Sequence, residues 1–111
     1  MSIKTEVMGN NEGIIKIVVS GKLGNTVQKN FRRAYEDNPA KTYIIDLSDV
    51  DSIDSSGLGM MLLMRDFVGG KNANIEIINC SDHILDIFNV TCFHKLFTIA
   101  QFGDKQAMSS V

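Results

Sequence analysis

From Ile14 onward, short runs rich in Ile and Val alternate with longer stretches whose apolar residues recur at helical spacing. No other feature limits the fold as much. A strand followed by a helix and a further strand needs a crossover connection, so the strands it joins run parallel. The alternation therefore predicts an α/β fold, a mixed but mostly parallel sheet of four to five strands packed against three to four helices. Right-handed crossovers would set those helices on the sheet in a consistent sense.

The elements follow in order. Ile3, Thr5 and Val7 alternate with Ser2, Lys4 and Glu6, which gives a short strand with one buried face. The turn formers Gly9-Asn10-Asn11-Glu12-Gly13 fold the next strand, Ile14 to Ser20, back on it as a hairpin, and Gly21 closes that strand. Val27, Phe31, Ala34 and Tyr35 mark one face of a helix, capped by Asn25 or Thr26 and stopped at Asn38-Pro39. Tyr43 to Leu47 is a β-rich run expected to be buried on both faces. Ser48 to Asp54, where acids alternate with apolar residues, reads as a loop. A second helix from about Ser56 to Val68 ends at Gly69-Gly70. Ile75 to Ile78 is another strand, Ser81 or Asp82 caps a third helix carrying Ile84, Leu85, Ile87 and Phe88, and a last short strand is expected near Phe97 to Ala100. Residues 101 to 111 are polar and read as a frayed helix.

Length and charge narrow the class. The 111 residues fit one domain, 1–111, large enough to bury a core without staples. A net charge of −2 with scattered basic residues carries no nucleic-acid footprint. No run of 18 apolar residues offers a membrane span, and the first residues show no signal-peptide core. Cys80 and Cys92 are too few and too far apart for a disulfide framework or a zinc site, so a cytoplasmic protein with free thiols is expected.

The residues that point to chemistry are Asp54-Ser55-Ser56-Gly57, at the carboxyl end of a strand where sites on such sheets gather. Ser55 or Ser56 is placed to cap the second helix, whose positive end favours negative charge. A phosphate there would meet backbone donors instead of disrupting the helix. Gly57 and Gly59 clear the first turn for close approach, although two glycines cost a helix about 2 kcal/mol against alanine. The same four residues also make an ordinary turn before a capped helix, and spacing does not choose between the two readings.

The segment from Tyr43 through Ile-Asp-Leu and Asp54-Ser-Ser-Gly-Leu-Gly59 resembles the signature stretch of STAS domains in bacterial anti-sigma factor antagonists. The likeness extends to Gly21-Lys22-Leu23 and to the element order over residues 1 to about 100. Phe31-Arg32-Arg33-Ala34-Tyr35 further resembles the branch found with response-regulator-linked phosphatases in gamma-proteobacteria. The resemblance implies a non-catalytic, cofactor-free phosphoprotein that acts by partner switching in transcription regulation. Its phosphoacceptor would be Ser55, with Asp54 positioning that hydroxyl and Ser56 and Gly57 shaping the turn. Partners implied are an anti-sigma factor or serine kinase and a PP2C-type phosphatase; the unphosphorylated form binds its target and the phosphorylated form lets go. Where the family often has an aspartate after the second strand, this chain has Gly24, followed by Asn25.

The second helix carries more apolar residues than one stripe can hold. If Leu58, Met61, Leu62 and Val68 face the sheet, then Met60, Met64 and Phe67 lie outward, and the flexible Met60 and Met64 would join a partner-binding patch with Asp54, Ser56, Gly57, Gly24 and Asn25. His83 and His94 stand apart from other ligand types, and the acids at 46, 49, 51 and 54 lack calcium-loop spacing, so no metal is expected. A small hydrolase using Ser55 lacks a placed general base. A STAS subunit of a lipid-transport ABC complex, bound to an ATPase without phosphorylation, is the alternative binding role.

Overall fold

The computed structural model describes residues 2–7 and 13–100. Five strands form one sheet: β1 (Ser2–Val7), β2 (Ile14–Leu23), β3 (Thr42–Ile53), β4 (Ile75–Ile78) and β5 (Thr98–Ala100). Three α-helices connect the parallel part: α1 (Gln28–Glu36), α2 (Ser55–Val68) and α3 (Asp82–Val90). The strand order is β1-β2-β3-β4-β5; β1 pairs antiparallel with β2, and every later pair is parallel. The expected α/β architecture is thus present. The hairpin turn expected at Gly9-Asn10-Asn11-Glu12 and the frayed helix expected beyond residue 100 lie outside the described residues.

The core lies on one side of the sheet. Ile15, Ile17 and Val19 of β2, Tyr43, Ile45 and Leu47 of β3, and Ile75 and Ile77 of β4 all share one cluster with the buried faces of the three helices. The period of two along each strand turns the intervening residues to the opposite face. Lys16 and Asp46 sit there on neighbouring strands, with Nζ and Oδ2 3.5 Å apart. Asp46 is buried on that face but Ile44 is only partly covered, so the run Tyr43 to Leu47 is not fully buried on both faces as expected. Burial by itself would raise the Asp46 carboxyl, but hydrogen bonds from the Ser48 amide and hydroxyl, together with the Lys16 ammonium, outweigh it and lower it.

Two boundaries differ from expectation. The stretch Ser48 to Ile53, read as a loop, continues β3 and pairs with the end of β2, which itself runs on to Leu23. Register shifts between Val18 and Ser20 and between Gly21 and Lys22 let these ends stay paired. Polar residues in an alternating run mimic a loop when one strand face projects beyond the core, and Ser48, Asp49 and Asp51 are exposed. The second difference is at α1, which has no side-chain cap from Asn25 or Thr26. A 3-10 turn, Asn25–Val27, leads into it, closed by the Val27 N–H donating to the Gly24 carbonyl at 3.1 Å.

Candidate functional site

At the carboxyl edge of the sheet, the ends of β2 and β3 lie side by side, with Leu23 opposite Ile53. The residues that follow each strand, Gly24 and Asp54, meet there. The cap of α2 is Asp54, ahead of both serines considered from the sequence. Its extended backbone (φ −117°, ψ −175°) leaves the carboxylate free to turn back on the helix start. Asp54 Oδ1 accepts from the Gly57 N–H at 3.0 Å and from the Ser56 hydroxyl at 2.7 Å. Lys22 Nζ lies 3.4 Å from Oδ2. The Ser56 bond, the Gly57 amide and the Lys22 ammonium together push the Asp54 carboxyl down to about 2.

This network separates the two serines. Ser56 is tied to Asp54, whereas Ser55, the first helical residue, is exposed, and among the described residues no hydrogen bond holds its hydroxyl. Asp54 therefore positions Ser56, not Ser55 as the resemblance implied. As first-turn residues, Ser55 and Ser56 also present backbone N–H groups that have no carbonyl one turn earlier in the helix.

Two glycines make the arrangement possible by close approach. A Cβ on Gly57 would run into the Leu23 carbonyl and come within 3.0 Å of Ile53 Cγ1. A Cβ on Gly24 would stand 2.7 and 2.9 Å from the Asp54 carboxylate oxygens. Gly24 is thus the floor on which the cap rests, and a longer side chain there would displace it. Asn25, exposed beside it, stands at the same edge.

Met60 and Met64 are not at the surface. They are 5% and 0% exposed and belong to the core, together with Met61. The reason is the phase that Gly57 imposes: once its bare face is pressed on Leu23, positions three, four and seven further on point inward as well. Leu62 is turned outward instead, alongside Leu63 and Phe67, at 39%, 59% and 60% exposure. Met60 and Met64 therefore do not form the outward face expected of them, and the exposed apolar side chains of α2 are these three. Lys22, present in the sequence analysis only within the Gly21-Lys22-Leu23 likeness and given no role there, also stands at this edge. Only the parallel register of β2 and β3, unseen in one sequence, brings it to Asp54.

Comparison with known proteins accords with this geometry. Residues 10–99 match the family model described as Mlab, STAS domain. A STAS-domain containing protein of Pseudomonas aeruginosa (strain UCBPP-PA14) is 38% identical over 88 residues, covering 78% of this chain and 87% of that protein. Among solved structures, an anti-sigma factor antagonist from Mycobacterium paratuberculosis superposes with a TM-score of 0.70 at 22% identity, covering 99% of this chain and 94% of its own. The Bacillus cell fate determinant SpoIIAA in its phosphorylated form gives 0.64 at 15% identity, covering 98% of both chains. At such identities these structures share the fold alone.

Proposed function

This chain belongs to the STAS domain family, and on that premise we propose that it is a phosphorylation-gated regulatory protein of the anti-sigma factor antagonist kind. With Ser55 unmodified it binds an anti-sigma factor or equivalent partner protein. A partner serine kinase transfers phosphate from ATP to Ser55 and the complex parts; a PP2C-type phosphatase, in the response-regulator-linked branch, restores it. The chain itself performs no catalysis in this scheme and works in the cytoplasm.

The observation that carries the reading is the difference between the serines: Ser55 is open at the start of α2, while Ser56 is engaged by Asp54. A phosphate on Ser55 adds about −1.5 to −2 charges at neutral pH. It would stand at the helix-start amides, next in sequence to the Asp54 that Lys22 pairs with, so the fold tolerates it. Toward a partner the effect is opposite, because Asp49, Asp51 and Asp54 already make this edge acidic, and the added charge resists desolvation in an interface. The likeness to a protein known in a phosphorylated form, SpoIIAA of Bacillus, also supports the reading.

Wild type, Ser55→Ala, Ser55→Asp and Ser56→Ala, expressed in the native host and run on phosphate-affinity gels, test it. A retarded band is expected for wild type and Ser56→Ala and not for Ser55→Ala, while Ser55→Asp loses the partner that Ser55→Ala retains. A wild type that never acquires phosphate, with Ser55→Asp keeping every partner, would end the proposal. The description of the matched family model favours one second reading, the STAS subunit of a lipid-transport ABC complex. Co-purification of an ATPase subunit with all four proteins alike would select it.

A further inference from the structure

We infer that β1 is a self-association edge: two copies of this chain pair their β1 strands antiparallel about a two-fold axis at Thr5, setting Lys4 of each beside Glu6 of the other. The inference goes beyond the switch reading and does not depend on it.

The edge is open and regular. β1 pairs with β2 along all six residues, Ser2–Val7, without a register shift. It stands first in the sheet order, so no strand of this chain covers its other side. The opposite edge, β5, has three residues, and shortness is one way a sheet is kept from adding a further strand. A proline or a bulge serves the same end, and β1 has neither. What guards β1 is charge. Lys4 and Glu6 are exposed, and neither forms an ion pair among the described residues. Lys16 faces Glu6 from β2, but its ammonium is engaged by Asp46 on the far side.

The charges fit a second copy in one register. In a two-fold contact the same patch meets itself, and for a strand edge the axis stands perpendicular to the sheet through one residue of each chain. Centred on Lys4 or on Glu6, it would set like charges opposite each other, which is destabilising. Centred on Ile3 or Val7, it would shorten the overlap of the strands. Centred on Thr5, it faces Lys4 with Glu6 twice, on the side of the sheet that carries no helix, and both pairs attract. The helix side repeats the pattern. Arg33 and Asp37, one turn apart on α1, line a depression of about 240 Å³ with Ile3 and Thr5. Thr5 is exposed there and Ile3 only partly covered, so the helix layer stops short of the edge. The axis reverses α1 along with β1 and brings Arg33 of one copy toward Asp37 of the other. Neither forms an ion pair within its own chain among the described residues. The same reversal points the two Ser55 edges in opposite directions, so pairing leaves both open.

Sedimentation of the purified full chain over a concentration series tests this. The proteins are wild type, Lys4→Glu, Glu6→Lys, the double exchange, and an equimolar mixture of the two single variants, their folds verified by amide spectra. A strand edge is small against the roughly 1,200 Å² of a standard interface, so wild type is expected as a monomer–dimer equilibrium that shifts with concentration. Each single exchange makes both cross-strand pairs repulsive and is expected to weaken the dimer on the order of tenfold. The double exchange restores both attractions. So does the mixture, in which each variant supplies the charge that the other lacks, and both are expected to return to wild-type affinity. A wild type that stays monomeric at millimolar concentration would overturn the inference. So would a dimer that the single exchanges leave unchanged, or one that the double exchange or the mixture fails to restore; either places the contact on another surface. No kinase or phosphate enters the measurement, so its failure leaves the Ser55 proposal standing.

Discussion

Asp54 owes its low proton affinity to two neighbours on its own helix and one on β2, and a pH dependence follows. Its folded value, about 2, lies below the roughly 3.9 of an unfolded aspartate. A group shifted in this direction stabilises the fold above the unfolded value and loses that contribution as pH falls toward the folded one. The cap should therefore persist at pH 5 and fail between about 4 and 2. A carbon-detected NMR titration of the Asp54 carboxyl measures this directly, and Ser56→Ala should move the midpoint up toward the ordinary range. The glycines give a second contrast. Gly57→Ala drives a methyl into the Leu23 carbonyl and should cost about 3 kcal/mol in urea denaturation. Gly59, in the same helix, has open space within 4 Å of where a methyl would stand, so Gly59→Ala should stabilise by about 1 kcal/mol. The Asp-Ser-Ser-Gly turn was legible in the sequence, because capping chemistry is local. Which residue caps was not, since Asp54, Ser55 and Ser56 are all good caps and only the path of β3 selects the first.

At the scale of elements, α2 and β3 show where periodicity stops being informative. The apolar pattern of α1 is confined to one face, and Val27, Phe31, Ala34 and Tyr35 are buried as their spacing implies. In α2, apolar residues occur on every side, so the pattern leaves the rotation about the helix axis undetermined. A tertiary contact at Gly57 fixes it. The outer half of β3 was obscured in another way, because its partner residues on β2 lie some thirty positions earlier. Asp46, by contrast, looked like any strand residue and proves to be buried against Lys16 and Ser48. Asp46→Ala should leave the Ser48 amide and the Lys16 ammonium without that partner and cost about 2 kcal/mol, read from the urea midpoint at unchanged slope.

For the molecule as a whole, the proposed switch is one of surface rather than shape. Ser55 stands outside the core at a helix start, so Ser55→Asp should leave unfolding stability within about 1 kcal/mol of wild type. Equilibrium denaturation checks this, and a large loss would mean that the serine supports the fold. The strand order has one more consequence. In this sheet the order in space is the order in the chain, and each new strand adds beside the one before it. A ribosome releases the chain from its amino end. Each strand–helix unit can therefore settle on a finished neighbour while the next is still being synthesised, with no gap held open for a later insertion. The Ser55 edge, built from β2, β3 and the start of α2, would take form before β4 and β5 have left the exit tunnel.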